Sequence, residues 1–308
     1  HIFKVHGESK AGDTSKFRIP SGSQFVAAFY FTAPWTEDLQ LLRARANLDN
    51  PRIIHHWVLS ATHSDEVADG EVRMQASLRA QGVGDEVPIA SGGLGSTELE
   101  LPADVGLRMP SGPKLMIELE VHYVNVSDQQ EETDASSVEI CVTSKKRPIE
   151  AASHTLGSLT FSLPAHTRTE IKSTCIPERQ TDAVHIMAAT PHMHLTGVHS
   201  TLLLTRKSGE QLSLLDRDYT FQEQRTYVLP EDRASSDVLV EPGDTLTTTC
   251  SYDNTTDATI RNGDRVEDEM CEIAVFAWPA GALHNAFSTL LGALPGNNGI
   301  ADLTCMDP

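Results

Sequence analysis

The chain has 308 residues, of which 39% are hydrophobic and 22% charged, and it carries a formal net charge of −19. That length allows two domains, each burying its own core, and no apolar run approaches the ~18 residues a membrane span needs, so no insertion is expected. The acidic balance argues against nucleic acid, which needs clustered Lys and Arg, and against acidic membrane surfaces and anionic substrates.

In chain order, the first strong element is the apolar run Phe25 to Phe31, followed by Thr32, Ala33 and Pro34, which reads as a buried strand. Glu37 to Leu48 fits either a helical turn or a strand. Further β-rich runs cover Ile53–Ala61, Lys114–Val126, Val138–Thr143, Thr201–Thr205 and Thr245–Tyr252, separated by Gly, Pro, Asp and Ser clusters. Such spacing predicts all-β architecture, with sandwiches rather than alternating helix and strand. The basic, Pro-ended stretch Ser144-Lys145-Lys146-Arg147-Pro148 lies near the midpoint and predicts domains at 1–149 and 150–308. Asn125-Val126-Ser127 and Asn254-Thr255-Thr256 match the glycosylation acceptor pattern. The chain opens at His1 with no signal peptide, which reads as a processed or trimmed start.

Histidines suggest chemistry at three places. His55 and His56 are adjacent in an apolar run, and neighbours in a regular strand face opposite ways. Both reach one ion only if the strand kinks or the ion sits at its edge. His122 closes the alternation Ile117-Glu118-Leu119-Glu120-Val121-His122, sharing with Glu118 and Glu120 what reads as the wet face. In Thr190-Pro191-His192-Met193-His194-Leu195-Thr196-Gly197 the i, i+2 spacing puts two imidazoles on one face of a strand, suited to chelating one ion. Pro191 cannot donate to a ladder, so that strand should be an edge or carry a bulge.

Met270 stands among acids in Glu267-Asp268-Glu269-Met270-Cys271-Glu272, an unusual place for an apolar gap-filler. Of the five cysteines, Cys175, Cys250, Cys271 and Cys305 fall in the second half and none forms a CxxC. This predicts two disulfides and an oxidising compartment: secreted, periplasmic or otherwise extracytoplasmic.

Taken in order, the HH pair, the single His, the HxH and the Met resemble the copper type II, ascorbate-dependent monooxygenases, over most of the chain from about Phe17 to Cys305. The likeness is most specific in Leu119-Glu120-Val121-His122-Tyr123, His192-Met193-His194-Leu195-Thr196-Gly197, Pro242-Gly243-Asp244 with Cys250, and Asp268-Glu269-Met270-Cys271. The resemblance implies two consecutive antiparallel, jelly-roll-like sandwiches, each with a copper site, facing an interdomain cleft. It implies His55, His56 and His122 as ligands of the first copper, and His192, His194 and Met270 as ligands of the second, which is the catalytic one. His185 would lie beside the second site. It implies the disulfides Cys250–Cys271 and Cys175–Cys305, with Cys141 left as a buried thiol. The first of these would close a loop worth ~3 kcal/mol by chain entropy and fix where Met270 points. A thioether beside two imidazoles suits Cu(I), whereas three imidazoles alone suit copper or zinc.

The implied activity is hydroxylation of a C–H bond in a small molecule, using O₂ and an external reductant such as ascorbate. The alternative is a copper-binding protein of the same fold without catalysis. The peptide-amidating branch of the family has an arginine two residues before the HxH, and an asparagine and a tyrosine two and four residues after the Met. Here those positions hold Thr190, Glu272 and Ala274. Losing a charge-assisted bond of ~1.5–3 kcal/mol and gaining a carboxylate predicts a neutral or cationic substrate, such as an aromatic or amine-bearing molecule. His194-Leu195-Thr196-Gly197 and Phe221-Gln222-Glu223 resemble the dopamine-hydroxylating branch instead.

Overall fold

The computed structural model describes residues 1–74, 87–93, 98–127, 129–176, 183–221, 224–229, 238–263, 267–280, 283 and 304–307, the last four by backbone alone. Every regular element among them is a strand, as the run lengths and turn spacing predict. No helix among them is long and apolar enough to cross a membrane. The chain divides into two compact units, His1–Glu150 and Ala151–Pro308.

The first unit has two main sheets. One runs in the order Ile2–Lys4, Ser137–Thr143, Gln40–Asn47, Val105–Arg108, and Glu98–Glu100 also pairs with Gln40–Asn47. The other runs Val72–Met74, Gln24–Thr32, Leu115–Val124, Ile54–His63, Val87–Gly93. The ambiguous segment at Glu37 to Leu48 is therefore a strand, and its Leu41, Ala44 and Ala46 are buried. Trp57, Leu119 and Val121 of one sheet meet Ala46 and Val138 of the other around a small internal cavity. Phe17, Phe25, Phe29 and Tyr123 add an aromatic cluster with ring centres 5.1–6.2 Å apart. The face of Leu115–Val124 that alternation reads as wet is covered: Glu118 is 1% exposed and His122 0%. Alternation reports which side chains differ in polarity, not which face is covered; Tyr30 and Ala28 stand opposite Glu118 and Glu120 on the neighbouring strand, and with Met116 and Val67 they form a buried cluster.

The second unit repeats the two-layer arrangement. Ile149–Ser158, Cys271–Trp278 and Val184–His192 lie side by side, and Tyr227–Val228 and Val238–Val240 both pair with the last of them. The facing sheet runs Thr167–Cys175, Thr245–Asn254, Gly197–Thr205, Gln211–Asp218. Leu156, Val184, Ile186, Ile273 and Val275 from the first layer share one core with Leu202, Leu204 and Leu246 from the second.

Cys250 and Cys271 are bonded, with Cα atoms 5.7 Å apart, and join the two layers. Cys175 is also disulfide-bonded. Its expected partner, Cys305, lies on the strand Thr304–Asp307, but its side chain is outside the described residues. Cys141 departs from expectation: it is a free, exposed cysteine. It stands at a register shift between Cys141 and Val142, where strand alternation no longer dictates which way a side chain turns.

Both acceptor patterns are closed. Asn125 Nδ2 donates to the carbonyls of Ile19, Pro20 and Gln130. Asn254 Nδ2 donates to those of Leu163, Pro164 and Ala258. Both side chains are buried, at 3% and 0% exposure, so neither amide nitrogen is presented for modification.

Candidate metal centres

In the first unit, register solves the difficulty posed by two adjacent histidines. His122 pairs with His56 and Tyr123 with Ile54, so His55 is one residue in excess of the register, a β-bulge. The bulge re-aims the strand, and both rings reach the same neighbour. The His55 and His56 ring centres lie 4.9 and 5.2 Å from that of His122. Burial pushes the His55 imidazole below its ordinary pKa, which favours the neutral form that binds metal. The Gln24 side-chain nitrogen lies 3.4 Å from His122 Nε2.

In the second unit, His192 is the last residue of its strand, and His194 lies beyond the strand end. The expectation of one continuous strand through the HxH is thus corrected, yet the rings still sit 5.3 Å apart and nearly perpendicular at 89°. The strand does carry a bulge, between Ile186 and Ala188. What holds the turn is a set of buried hydrogen bonds. The Met193 N–H donates to Tyr219 Oη, and Tyr219 Oη donates back to the Met193 carbonyl. Burial pushes that phenol up, so it remains a donor. Gly197 is required for close approach, since a Cβ there would lie 2.7 Å from Met193 Cβ and 3.0 Å from Tyr219 Cδ1.

Both rings have fixed tautomers. His192 Nδ1 lies 2.7 Å from Gln224 Oε1, and His194 Nδ1 lies 2.9 Å from the Asp268 carbonyl. A carbonyl oxygen only accepts, so each Nδ1 carries the proton and each neutral ring keeps its lone pair on Nε2. The Glu269 carboxylate accepts from the His194 N–H at 2.7 Å and from the Met270 N–H at 3.3 Å. Tyr252 Oη donates to the Met270 carbonyl at 2.7 Å. Met270 is 7% exposed and directly precedes the disulfide-bonded Cys271. Gln224, Glu269, Tyr219 and Tyr252 were not singled out from the sequence. Glu269 had a signal in its place beside Met270.

His185 is not brought to this site. It stands seven residues before His192 on the same strand, ~23 Å at strand rise. Its ring stacks on Trp278, with centres 5.2 Å apart.

Imidazoles bound to one ion at ~2.0–2.1 Å hold their ring centres roughly 5 Å apart, and both clusters have that spacing. Among the described residues no group of three or more His, Cys, Asp or Glu donors is gathered for a metal ion. The first cluster therefore has ring spacing without converged donors. The second counts on a thioether, which lies outside that donor class. Soft, neutral donors of these kinds fit copper.

An all-β chain of two units, each with an imidazole cluster and one with a neighbouring methionine, is the class these features define. Residues 150–290 match the family model described as the copper type II ascorbate-dependent monooxygenase, C-terminal domain. The second unit is thus similar to the C-terminal domain of the copper type II ascorbate-dependent monooxygenases. It is similar to the tyramine beta-hydroxylase of Caenorhabditis briggsae, at 26% identity over 62% of this chain and 34% of that protein. Likeness to the dopamine beta-hydroxylase of Equus caballus is 28% over 62% and 32%. Likeness to the putative DBH-like monooxygenase protein 2 of Homo sapiens is 25% over 79% and 51%. The chain spans about a third of the length of the first two. Among solved structures, the infectious bursal disease virus VP2 particle aligns at a TM-score of 0.20 and 9% identity, covering 90% of this chain and 72% of that one, which carries no argument.

Proposed function

We propose that the chain is a copper-dependent monooxygenase that hydroxylates a C–H bond of a small neutral or cationic molecule. His55, His56 and His122 would hold one copper, and His192, His194 and Met270 the other. Bound copper would supply one-electron chemistry and the reduction of O₂, with an external reductant such as ascorbate as the electron source. The observation that carries this reading is the orientation of the HxH pair, with both Nδ1 protons donated to fixed carbonyl oxygens and the same turn tied to Met270 through Glu269. A protein with no use for these rings has no reason to fix both lone pairs on Nε2.

Substrate class follows from the neighbours of His192. Glu272 pairs with His192 and Ala274 with Thr190 in register. Thr190 Oγ1 is engaged with Thr226 Oγ1 at 2.8 Å. A carboxylate at this strand end suits an amine and repels a carboxylate-bearing peptide.

The test is metal analysis of the purified protein, followed by reductant-dependent O₂ consumption with a panel of small amines and a glycine-ended peptide. Two coppers per chain and amine hydroxylation are expected. Met270→Ala should abolish hydroxylation while the first-unit copper stays. Copper binding with no product in any substrate would favour a non-catalytic copper protein. Peptide turnover matching the best amine would overturn the substrate class.

A further inference from the structure

Glu269 is 0% exposed, and among the described residues the hydrogen bonds to its carboxylate come from segments that carry a proposed second-copper ligand or adjoin one. Oε2 accepts from the backbone N–H of His194 at 2.7 Å and of Met270 at 3.3 Å. Oε1 accepts from the backbone N–H of Thr196 at 2.6 Å and from its hydroxyl at 2.8 Å. A buried carboxylate costs several kcal/mol of desolvation unless its lone pairs are met, and here four donors meet them. Three of the four are backbone N–H groups, so the carboxylate fixes main chain on both sides of the site. His194 lies past the end of its strand and Met270 precedes the start of another, so the ladder hydrogen bonds that place residues within strands do not place these two.

We infer that Glu269 is the positioning residue of the second copper site: a negative clamp that sets the His194 turn against the Met270 backbone before metal arrives. The inference rests on the proposed ligand set. Glu269 touches no reacting atom. Its task is to remove the search that a turn and a strand start, distant in sequence, would otherwise make to present an imidazole and a thioether to one ion. Glutamine is the telling replacement, because it keeps the shape but turns an NH₂ group toward N–H donors that need an acceptor. Asp244 provides a matched control. It is another buried carboxylate of the same unit, accepting from the backbone N–H groups of Glu241 and Lys207 and from Arg206, far in sequence from any proposed ligand.

The experiment measures Cu(I) affinity by competition with a chromophoric chelator, and the copper–sulfur signal by X-ray absorption. It compares the full chain with Glu269→Gln and Asp244→Asn. Glu269→Gln should weaken the second copper at least tenfold and reduce the sulfur signal, leaving the first copper unchanged. Asp244→Asn should lower the melting temperature and leave both copper readouts as in the parent. Equal loss of copper in the two variants would make Glu269 a merely structural carboxylate and overturn the inference, as would an unchanged sulfur signal in Glu269→Gln. A parent chain that binds no second copper overturns the functional reading itself. If Glu269→Gln does not fold, Thr196→Val, which removes one of the four donors, is read in its place: a weaker second copper with the first unchanged supports the clamp, and two unchanged coppers overturn it.

Discussion

The two units carry the same strand plan and use it differently. In the first, the sheet order Gln24–Thr32, Leu115–Val124, Ile54–His63, Val87–Gly93 has its counterpart in the second as Thr167–Cys175, Thr245–Asn254, Gly197–Thr205, Gln211–Asp218. Each ends its second-listed strand in the same short phrase, Tyr123-Val124-Asn125-Val126-Ser127 and Tyr252-Asp253-Asn254-Thr255-Thr256, with the asparagine tying down a Pro-containing corner. Yet the imidazole cluster of the first unit sits on this sheet, at His55, His56 and His122. In the second unit His192 ends a strand of the opposite layer. Where the first unit has His122, three residues before the asparagine, the second has Ser251. A shared scaffold therefore does not dictate where a site forms; local departures do. In one unit the departure is a bulge, in the other a strand end held by buried phenols and a carboxylate.

The units also differ in covalent reinforcement, which gives the largest expected effect. Cys250–Cys271 crosses the layers of the second unit, whereas the one cysteine of the first, Cys141, is free. Replacing Cys250 and Cys271 with serine should cost about 3 kcal/mol, confined to the second unit. Calorimetry should show one of two transitions falling. If both fall together, the units do not unfold independently. Next in size, Asn125→Ala and Asn254→Ala should each cost roughly 2–3 kcal/mol, because each removes a buried amide that ties together three backbone carbonyls and an N–H. Similar losses in denaturant titrations would support equivalent corners, and a twofold disparity would break the comparison. Smallest are the phenols. Tyr123→Phe and Tyr252→Phe each remove one bond, to Asp134 Oδ2 and to the Met270 carbonyl, for about 1–2 kcal/mol. Only Tyr252→Phe should also perturb the copper–sulfur signal, since only it touches a proposed ligand.

Strands were legible wherever apolar residues alternated or ran unbroken, as in Phe25 to Phe31 and Ile117 to Val121. What was not legible depended on register and layering. Nothing local to Ile54-His55-His56-Trp57 says that Tyr123 will pair with Ile54 and leave His55 bulged; that is decided by the partner strand. Nor does Glu118-Leu119-Glu120-Val121-His122 reveal that its polar face is packed under further residues. The end of the HxH strand at His192 depends on Tyr219, Gln224 and Glu269, which are 25 or more residues away in sequence. The repeated Tyr-x-Asn-x-Ser/Thr phrase was readable. It matched a modification pattern, and that match hid its structural meaning.

That phrase has a consequence for production of the protein. A glycan is bulky and must face solvent, while each of these buried asparagines spends its amide on three backbone carbonyls. A secretory host that attached sugar to either one before the sheet closed would leave that corner permanently open. Sugar occupancy at Asn125 or Asn254 would then count the molecules that missed their native state, and a properly matured batch should carry none.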